Sequence, residues 1–365
     1  MQRKIPPPPR HAYASNPLRG RGATINPIGR FERLDVEPDD ENRDPEEDPS
    51  NPETLYLRDS SKSALASNDS PDIGFDFSLN PYRGCLHGCS YCYARPTHEY
   101  LGFSAGLDFE TKILVKEDAP DLLRKELASR RWQPQTIALS GVTDPYQPVE
   151  RRLRITRRCL EVLAEARNPV AVITKNHLVT RDIDLLASLA ELQAAMVHLS
   201  IPTLDPELAR VLEPRASTPK RRLLAIERLA AAGVPVGVMV APVIPGLTDH
   251  EIPHILESAA SAGARTVGWV MLRLPFGVKD VFEQWLLAHR PDRAERVLAR
   301  LRDVHDGKLY RSEFGTRGRG TGRYAEQIAT LFEVSLRRAG LTRRGRELST
   351  AAFRRPDLGP QIALF

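Results

Sequence analysis

From Phe75 onward the chain alternates short apolar runs with amphipathic stretches of ten to fifteen residues, and few folds accept that order. The runs at 136–140, 170–174, 196–201, 234–243 and 266–272 are rich in Val, Ile and Leu and read as strands. The stretches at 119–129, 152–166, 182–190, 220–232 and 251–262 read as helices, with Leu153, Leu160, Val162 and Leu163 giving the second its apolar stripe. Gly233 and Gly263 stand where the last residue after a helix is expected. Strand and helix repeated five times argue for parallel βα units wound in one direction. The strands are apolar on both faces, as a parallel sheet covered by helices requires. A barrel and a doubly wound sheet both satisfy this. No Gly-x-Gly-x-x-Gly follows the first strand, which disfavours a dinucleotide-binding half. The expected fold class is α/β, a full or partial (β/α) barrel.

The flanks have a different texture. Between Asp35 and Glu53 there are ten acidic residues and one arginine, interleaved with Pro and Asn and almost without apolar residues. Such a run buries too little surface to offset chain entropy. We expect residues 1–70 to form a largely disordered N-terminal extension, with 19–33 as a segment that lies on the body. The barrel is expected over 71–290. Residues 291–365 are expected to form a helical C-terminal extension with stretches near 294–304 and 324–339. It is basic, with 16 Lys and Arg against 9 Asp and Glu. Within it, the segment 314–324 is rich in Gly and Arg, suited to a phosphate backbone, and Tyr310 and Tyr324 could stack on bases. DNA or RNA is the partner this suggests; a solvated basic loop is the plainer reading.

No run of about 18 apolar residues occurs, so no membrane-spanning helix is expected. The N-terminus lacks the apolar region of a secretory signal, which leads us to expect a cytoplasmic protein whose thiols stay reduced. Three of its four cysteines, Cys85, Cys89 and Cys92, then pose a question of metal binding. Their Cys-x3-Cys-x2-Cys spacing lets three thiolates converge without closing a long loop, and Gly84 and Gly88 free the backbone to wrap a centre. Soft thiolates select zinc, copper(I) or iron–sulfur clusters. Structural zinc wants four closed ligands, and no second cysteine pair exists, though His87 or His98 could complete a Cys3His site. Cys159, in a helical stretch beside Arg157 and Arg158, reads as a small core residue.

The ends of the strands are polar. They carry Ser140 to Asp144, then Thr174, Lys175 and Asn176, then Ser200 to Thr203, and the 242–246 segment. In barrels, chemistry collects at these C-terminal ends. A Lys and an Asp there are costly unless used or paired.

The cysteine motif followed by this pattern resembles the radical S-adenosylmethionine (radical SAM) enzymes, over roughly 75–275, with Tyr91 as the aromatic residue before the last cysteine. The resemblance implies a partial (β/α)6 TIM-like barrel. It also implies a [4Fe-4S] cluster on Cys85, Cys89 and Cys92, whose open iron chelates S-adenosylmethionine, and reductive cleavage to a 5′-deoxyadenosyl radical. An electron carrier such as flavodoxin or ferredoxin follows as a partner, and no membrane. Within the family the chain resembles most the spore photoproduct lyase branch, also labelled DNA repair photolyase-like. That likeness carries cofactor contacts onto Tyr91, Tyr93, Thr143, Asp144, Lys175, Ser200, Arg215 and Ala241, with Lys175 paired to the methionine carboxylate. The chain departs from spore photoproduct lyase at Gly141, where that enzyme has the cysteine that returns a hydrogen atom. The competing class is a non-catalytic metal-cluster protein that binds nucleic acid through its basic tail.

Overall fold

The β-branched runs do form strands, because their alternate residues pack against a helical layer and vanish from solvent. In the computed structural model, which describes residues 18–31, 52–343, 345 and 347–358, a seven-stranded sheet is the frame. Its strands are β2 (Leu65–Ser67), β3 (Phe77–Leu79), β6 (Ile137–Leu139), β7 (Val170–Thr174), β8 (Ala195–Ser200), β9 (Val236–Val243) and β10 (Thr266–Met271), in the order β10-β9-β8-β7-β6-β3-β2. Six of them, β3 and β6 to β10, run parallel, and β2 pairs antiparallel with β3. This is the partial (β/α)6 barrel. A second, three-stranded sheet joins β1 (Leu55–Arg58), β5 (Lys112–Val115) and β4 (Tyr82–Arg83).

Eleven α-helices are formed among the described residues. Five cover the barrel: α2 (Ala119–Ala128), α4 (Ile155–Ala166), α5 (Ile183–Glu191), α7 (Pro219–Ala231) and α8 (Ile252–Ser261). Short helices α1 (Asp108–Thr111), α3 (Glu150–Leu153) and α6 (Pro206–Leu212) sit in loops. The single helix expected over 152–166 is broken at Arg154, which takes a left-handed φ of 55°. The cause is Glu150, whose carboxylate leaves the helix to accept from the Thr156 amide at 3.1 Å and from the Tyr82 hydroxyl at 2.5 Å. Gly233 and Gly263 do end their helices at φ of 78° and 105°.

One strand face builds the main core: Val170, Val172, Val197, Leu199, Val238 and Val240 are all buried in it. The residues between them, Ile173, Met196, His198, Met239 and Ala241, are only half-buried. That face lines the barrel's interior.

After the last barrel strand come α9 (Val278–His289), within the range expected for the barrel, and then α10 (Pro291–Val304) and α11 (Gly322–Arg338) of the C-terminal extension. The first two bury Phe282, Trp285, Val297 and Leu301 in a second core together with Cys89, Tyr91, Leu208 and Leu212. They therefore cover the cysteine-bearing end. The Gly/Arg segment runs from β10, where the Met271 amide donates to the Gly318 carbonyl at 2.9 Å, to the loop after β2. There Arg317 pairs with Asp72 at 2.5 Å and the Gly315 amide donates to the same carboxylate at 2.7 Å. The segment spans the gap between the two edges of the incomplete barrel.

Of the N-terminal extension, 1–17 and 32–51, including most of the acidic run, lie outside the described residues. One part departs from the expected disorder and one lies where it was expected. Residues 52–70 contribute β1 and β2, and 18–31 lie on the body, with Leu18, Ala23 and Ile25 packed against Leu107 and Val281. No helix among the described residues is long and apolar enough to cross a membrane.

Candidate active site

The cysteine loop leaves β4 through Gly84, whose φ of 80° and close neighbours exclude a side chain: a Cβ there would stand 2.8 Å from the His98 ring and 2.9 Å from the Phe109 carbonyl. The loop is then pinned by its backbone. The Cys85 amide donates to Phe109 O at 2.9 Å, the Leu86 amide to Gln147 Oε1 at 2.9 Å, and the Ser90 amide to Leu212 O at 3.2 Å. Cys85 and Cys89 are buried, and half-buried Cys92 packs against both their surroundings. Burial pushes the Cys89 and Cys92 thiols up, Cys89 well above the ordinary thiol value with Glu213 adding to the effect.

Beneath the loop lies a fully buried ion pair. Arg95 donates through Nε and Nη2 to the Cys89 carbonyl at 3.0 and 2.8 Å, and through Nη2 to Glu110 at 2.5 Å. Glu110 also accepts from the Gly22 and Ala23 amides at 3.1 and 2.9 Å. The 18–31 segment is thereby drawn onto the loop so closely that a Cβ on Gly22 would stand 1.7 Å from Gly88 O.

The strand ends meet the loop from the other side. Thr143 Oγ1 donates to Gly84 O at 2.6 Å and accepts from Gln147 Nε2 at 3.1 Å. Asp144 accepts from Tyr146 N at 2.9 Å, Thr174 Oγ1 at 2.7 Å and Lys175 N at 2.8 Å, with His87 Nδ1 at 3.4 Å. Burial alone would raise its carboxyl; His87 and these donors outweigh burial and hold it down to about 2. Both side chains thus spend their polar atoms on the protein, tying β6 to β7 and to the cysteine loop.

Lys175, Tyr91 and Ser200 come together. The Lys175 ammonium is 5.9 Å from the Tyr91 ring centre and 3.9 Å from Glu213 Oε1. Tyr91 donates to Glu213, and Glu213 is paired with the buried Arg222, which in turn donates to the Ser200 carbonyl at 2.8 Å. Burial pushes the Glu213 carboxyl up, but Arg222, Lys175 and the Tyr91 hydroxyl outweigh it and leave it below the usual carboxylate range. Ala241 sits half-buried on the inner face of β9. Tyr93 is half exposed and donates to Gly141 O at 2.7 Å. Arg215 stands apart from this group, its Nε donating to Gly20 O at 3.0 Å. Glu213, Arg222, Gln147 and the Arg95–Glu110 pair are functional neighbours that sequence reading missed.

The donor set can be tested against the group the motif implies. Three soft sulfurs on one loop, walled by Leu86, Leu212 and Val142, fit a cluster that takes one iron per thiolate. A structural zinc wants a fourth closed ligand, and the remaining cysteine, Cys159, lies away from the loop in the main core. Of the histidines offered for a zinc site, His98 is engaged elsewhere, bonding the Lys112 carbonyl at 2.8 Å, whereas His87 lies among Asp144, Asn176 and the Cys85 thiol. Cys159 is fully buried in the helical layer, as expected for a core residue.

Three of the tail residues expected to meet nucleic acid are likewise engaged. Arg317 is paired with Asp72, Arg319 donates to the Trp269 carbonyl at 2.8 Å, and Tyr324 donates to Asp249.

Comparison with known proteins adds four findings. A family model described as the Radical SAM superfamily matches residues 79–259. An uncharacterized protein of Mycobacterium tuberculosis is 40% identical over 226 residues, which are 61% of this chain and 66% of that protein, just under two thirds of its length. A radical SAM Nalpha-GlyT isomerase of Pseudomonas phage M6 is 25% identical over 185 residues, 50% of this chain and 36% of that protein. Among solved structures, a spore photoproduct lyase variant with bound AdoMet and dinucleoside spore photoproduct aligns with a TM-score of 0.56 at 18% identity, over 79% of this chain and 80% of that one. At that identity the likeness is one of fold.

Proposed function

The chain belongs to the radical SAM superfamily, and on that premise we propose that it cleaves S-adenosylmethionine reductively and takes a hydrogen atom from a nucleic-acid substrate. Its cofactors are a [4Fe-4S] cluster and S-adenosylmethionine. When bound, the cluster supplies the electron that breaks the sulfonium bond and so delivers the carbon radical. Cys85, Cys89 and Cys92 hold it, in a loop whose shape is set by Thr143, Gln147 and the Arg95–Glu110 pair. Lys175 stands on the rim beside Tyr91 and Ser200, and it binds the methionine carboxylate, leaving Glu213 to Arg222. Ala241 and its neighbours on β9 give the adenine a backbone edge. Thr143 and Asp144 act as positioning residues, since their polar atoms are already spent, and Arg215 through its Nε bond to Gly20. The closed end formed by α9 and α10 keeps water from the radical.

The observation that carries this reading is the fastening of the cysteine loop to the ends of β6 and β7 in one barrel mouth, with a lysine on its rim. The nucleic-acid substrate is supported by the spore photoproduct lyase neighbours, which bind a dinucleoside photoproduct. Thiol-dependent repair is not part of the proposal. Gly141 occupies the donor position, Cys159 is buried in the helical layer, and the hydroxyl at Gly141 is that of Tyr93. A low-potential carrier such as flavodoxin or ferredoxin supplies the electron.

The test is isotopic. Deuterated single- and double-stranded oligonucleotides are incubated anaerobically with the loaded enzyme, reductant and S-adenosylmethionine. Deuterium in the 5′-deoxyadenosine supports the substrate class. Unlabelled 5′-deoxyadenosine with every DNA and RNA substrate removes it and leaves the cleavage reaction standing.

A further inference from the structure

A cavity of about 520 Å³ lies outside the barrel, between the turn that follows β7 and the start of α7. Its wall carries Arg151, Arg181, Arg221 and Arg228, with His177 and Ser217 beside them, and no carboxylate lines it. Arg181 is neutralised by Glu150 and Asp182 at 2.8 and 2.7 Å. The other three arginines meet no carboxylate among the described residues. They share one concavity, and two further observations say so. His177 Nε2 is buried without a partner. Its imidazole is held below the ordinary value first by burial and then by Arg221, Arg228 and Arg151 together.

Three uncompensated guanidiniums around one hollow repel one another, and an anion there offsets that repulsion. Guanidinium forks match phosphate oxygens bidentately. The unpartnered His177 nitrogen faces the same hollow, while the Thr180 and Ser217 hydroxyls are spent on the His177 carbonyl and on Asn176 and fix its wall. The hollow is far larger than a phosphate ion, so the phosphate belongs to something bigger.

The cavity also backs onto the reaction site. The His177 amide donates to Ser217 Oγ at 2.9 Å, Ser217 Oγ to Asn176 Oδ1 at 3.1 Å, and Asn176 lies 3.1 Å from His87 in the cysteine loop. The Ser217 amide donates to the Lys175 carbonyl at 3.3 Å. We propose that this cavity is a phosphate-binding site that anchors a phosphorylated ligand beside the barrel mouth. It rests on the nucleic-acid reading only in the choice of one probe, since phosphate esters reach it either from a polynucleotide backbone or from a free nucleotide.

The test uses the full chain with its cluster loaded. Binding of inorganic pyrophosphate, AMP and a fluorescent single-stranded 12-mer is measured for wild type, Arg221→Gln/Arg228→Gln and Arg221→Lys/Arg228→Lys. Both arginines are exposed and unpaired, so the variants fold. The expected result is pyrophosphate binding that falls at least tenfold in the Gln variant and is largely restored in the Lys variant. If the backbone is the source, the 12-mer displaces pyrophosphate and its salt slope drops by about two in the Gln variant. If a free nucleotide is the source, AMP displaces pyrophosphate and the 12-mer does not. Equal binding of all three probes by wild type and the Gln variant, or no binding by wild type at 50 mM salt, overturns the proposal. Substrate-free cleavage of S-adenosylmethionine stays unchanged in the Gln variant, which separates failure of this site from failure of the radical chemistry.

Discussion

Glu110→Gln is the most informative single change. Glu110 is fully buried and accepts three bonds: from Arg95 Nη2 at 2.5 Å, Ala23 N at 2.9 Å and Gly22 N at 3.1 Å. Glutamine keeps the volume, so no cavity term arises. It also turns one acceptor into a donor that must face an N–H, and it strips the charge that balances a guanidinium with no exposed surface. Breaking a buried ion pair by removing one partner costs about 3–5 kcal/mol. At about 2 °C per kcal/mol for a chain of this size, the melting temperature should fall by about 6–10 °C. Arg95 holds the Cys89 carbonyl at 3.0 and 2.8 Å, so iron retained after anaerobic reconstitution should fall as well. The assay pairs a circular-dichroism melt with iron and sulfide analysis. Arg95→Met in the Glu110→Gln background should recover part of the stability, because no unpaired buried charge remains. A Glu110→Gln melt within about 1 °C of wild type with full iron content would refute the reasoning.

Other consequences are simpler to state. Lys175→Ala should weaken S-adenosylmethionine binding at least tenfold in equilibrium dialysis while iron content stays at the wild-type level; unchanged binding removes Lys175 from the cofactor site. His98 is held down to about 4 by burial, against an ordinary value of 6.5. As pH falls below 6.5 the unfolded chain takes a proton that the folded chain refuses, so stability drops until about pH 4; at pH 5 the loss is about 2 kcal/mol, read as a lower urea midpoint than at pH 8 and flattened in His98→Gln. Arg317→Ala should release the segment that bridges β10 and β2, seen as faster amide exchange at Met271 and Gly315 with an unchanged far-ultraviolet spectrum.

Much of this architecture is legible in the residues because it rests on local patterns. The runs at 170–174 and 234–243 became β7 and β9 almost unchanged, since burial against helices selects the same Val-rich segments the eye does. Phe77–Leu79 escaped notice: three residues give no period, and its strand character comes from pairing with β2 and β6. The cysteine triplet was legible for the same local reason. The carboxylates around it were not, because Glu110 and Glu213 meet their partners Arg95, Gly22, Arg222 and Lys175 only through tertiary folding. The Gly/Arg segment shows the converse limit. Composition counts charges, and Arg317 and Arg319 are spent on Asp72 and on a backbone carbonyl across the barrel's gap.

The central claim is that Cys85, Cys89 and Cys92 hold a cluster that cleaves S-adenosylmethionine in the mouth of this barrel. The direct measurement is 5′-deoxyadenosine, quantified by chromatography after anaerobic reconstitution with iron and sulfide, reduction with dithionite and addition of S-adenosylmethionine, with Cys92→Ala alongside. The account predicts 5′-deoxyadenosine from wild type and none from the variant. A wild-type cluster that forms without any cleavage, or cleavage that survives in Cys92→Ala, would contradict it.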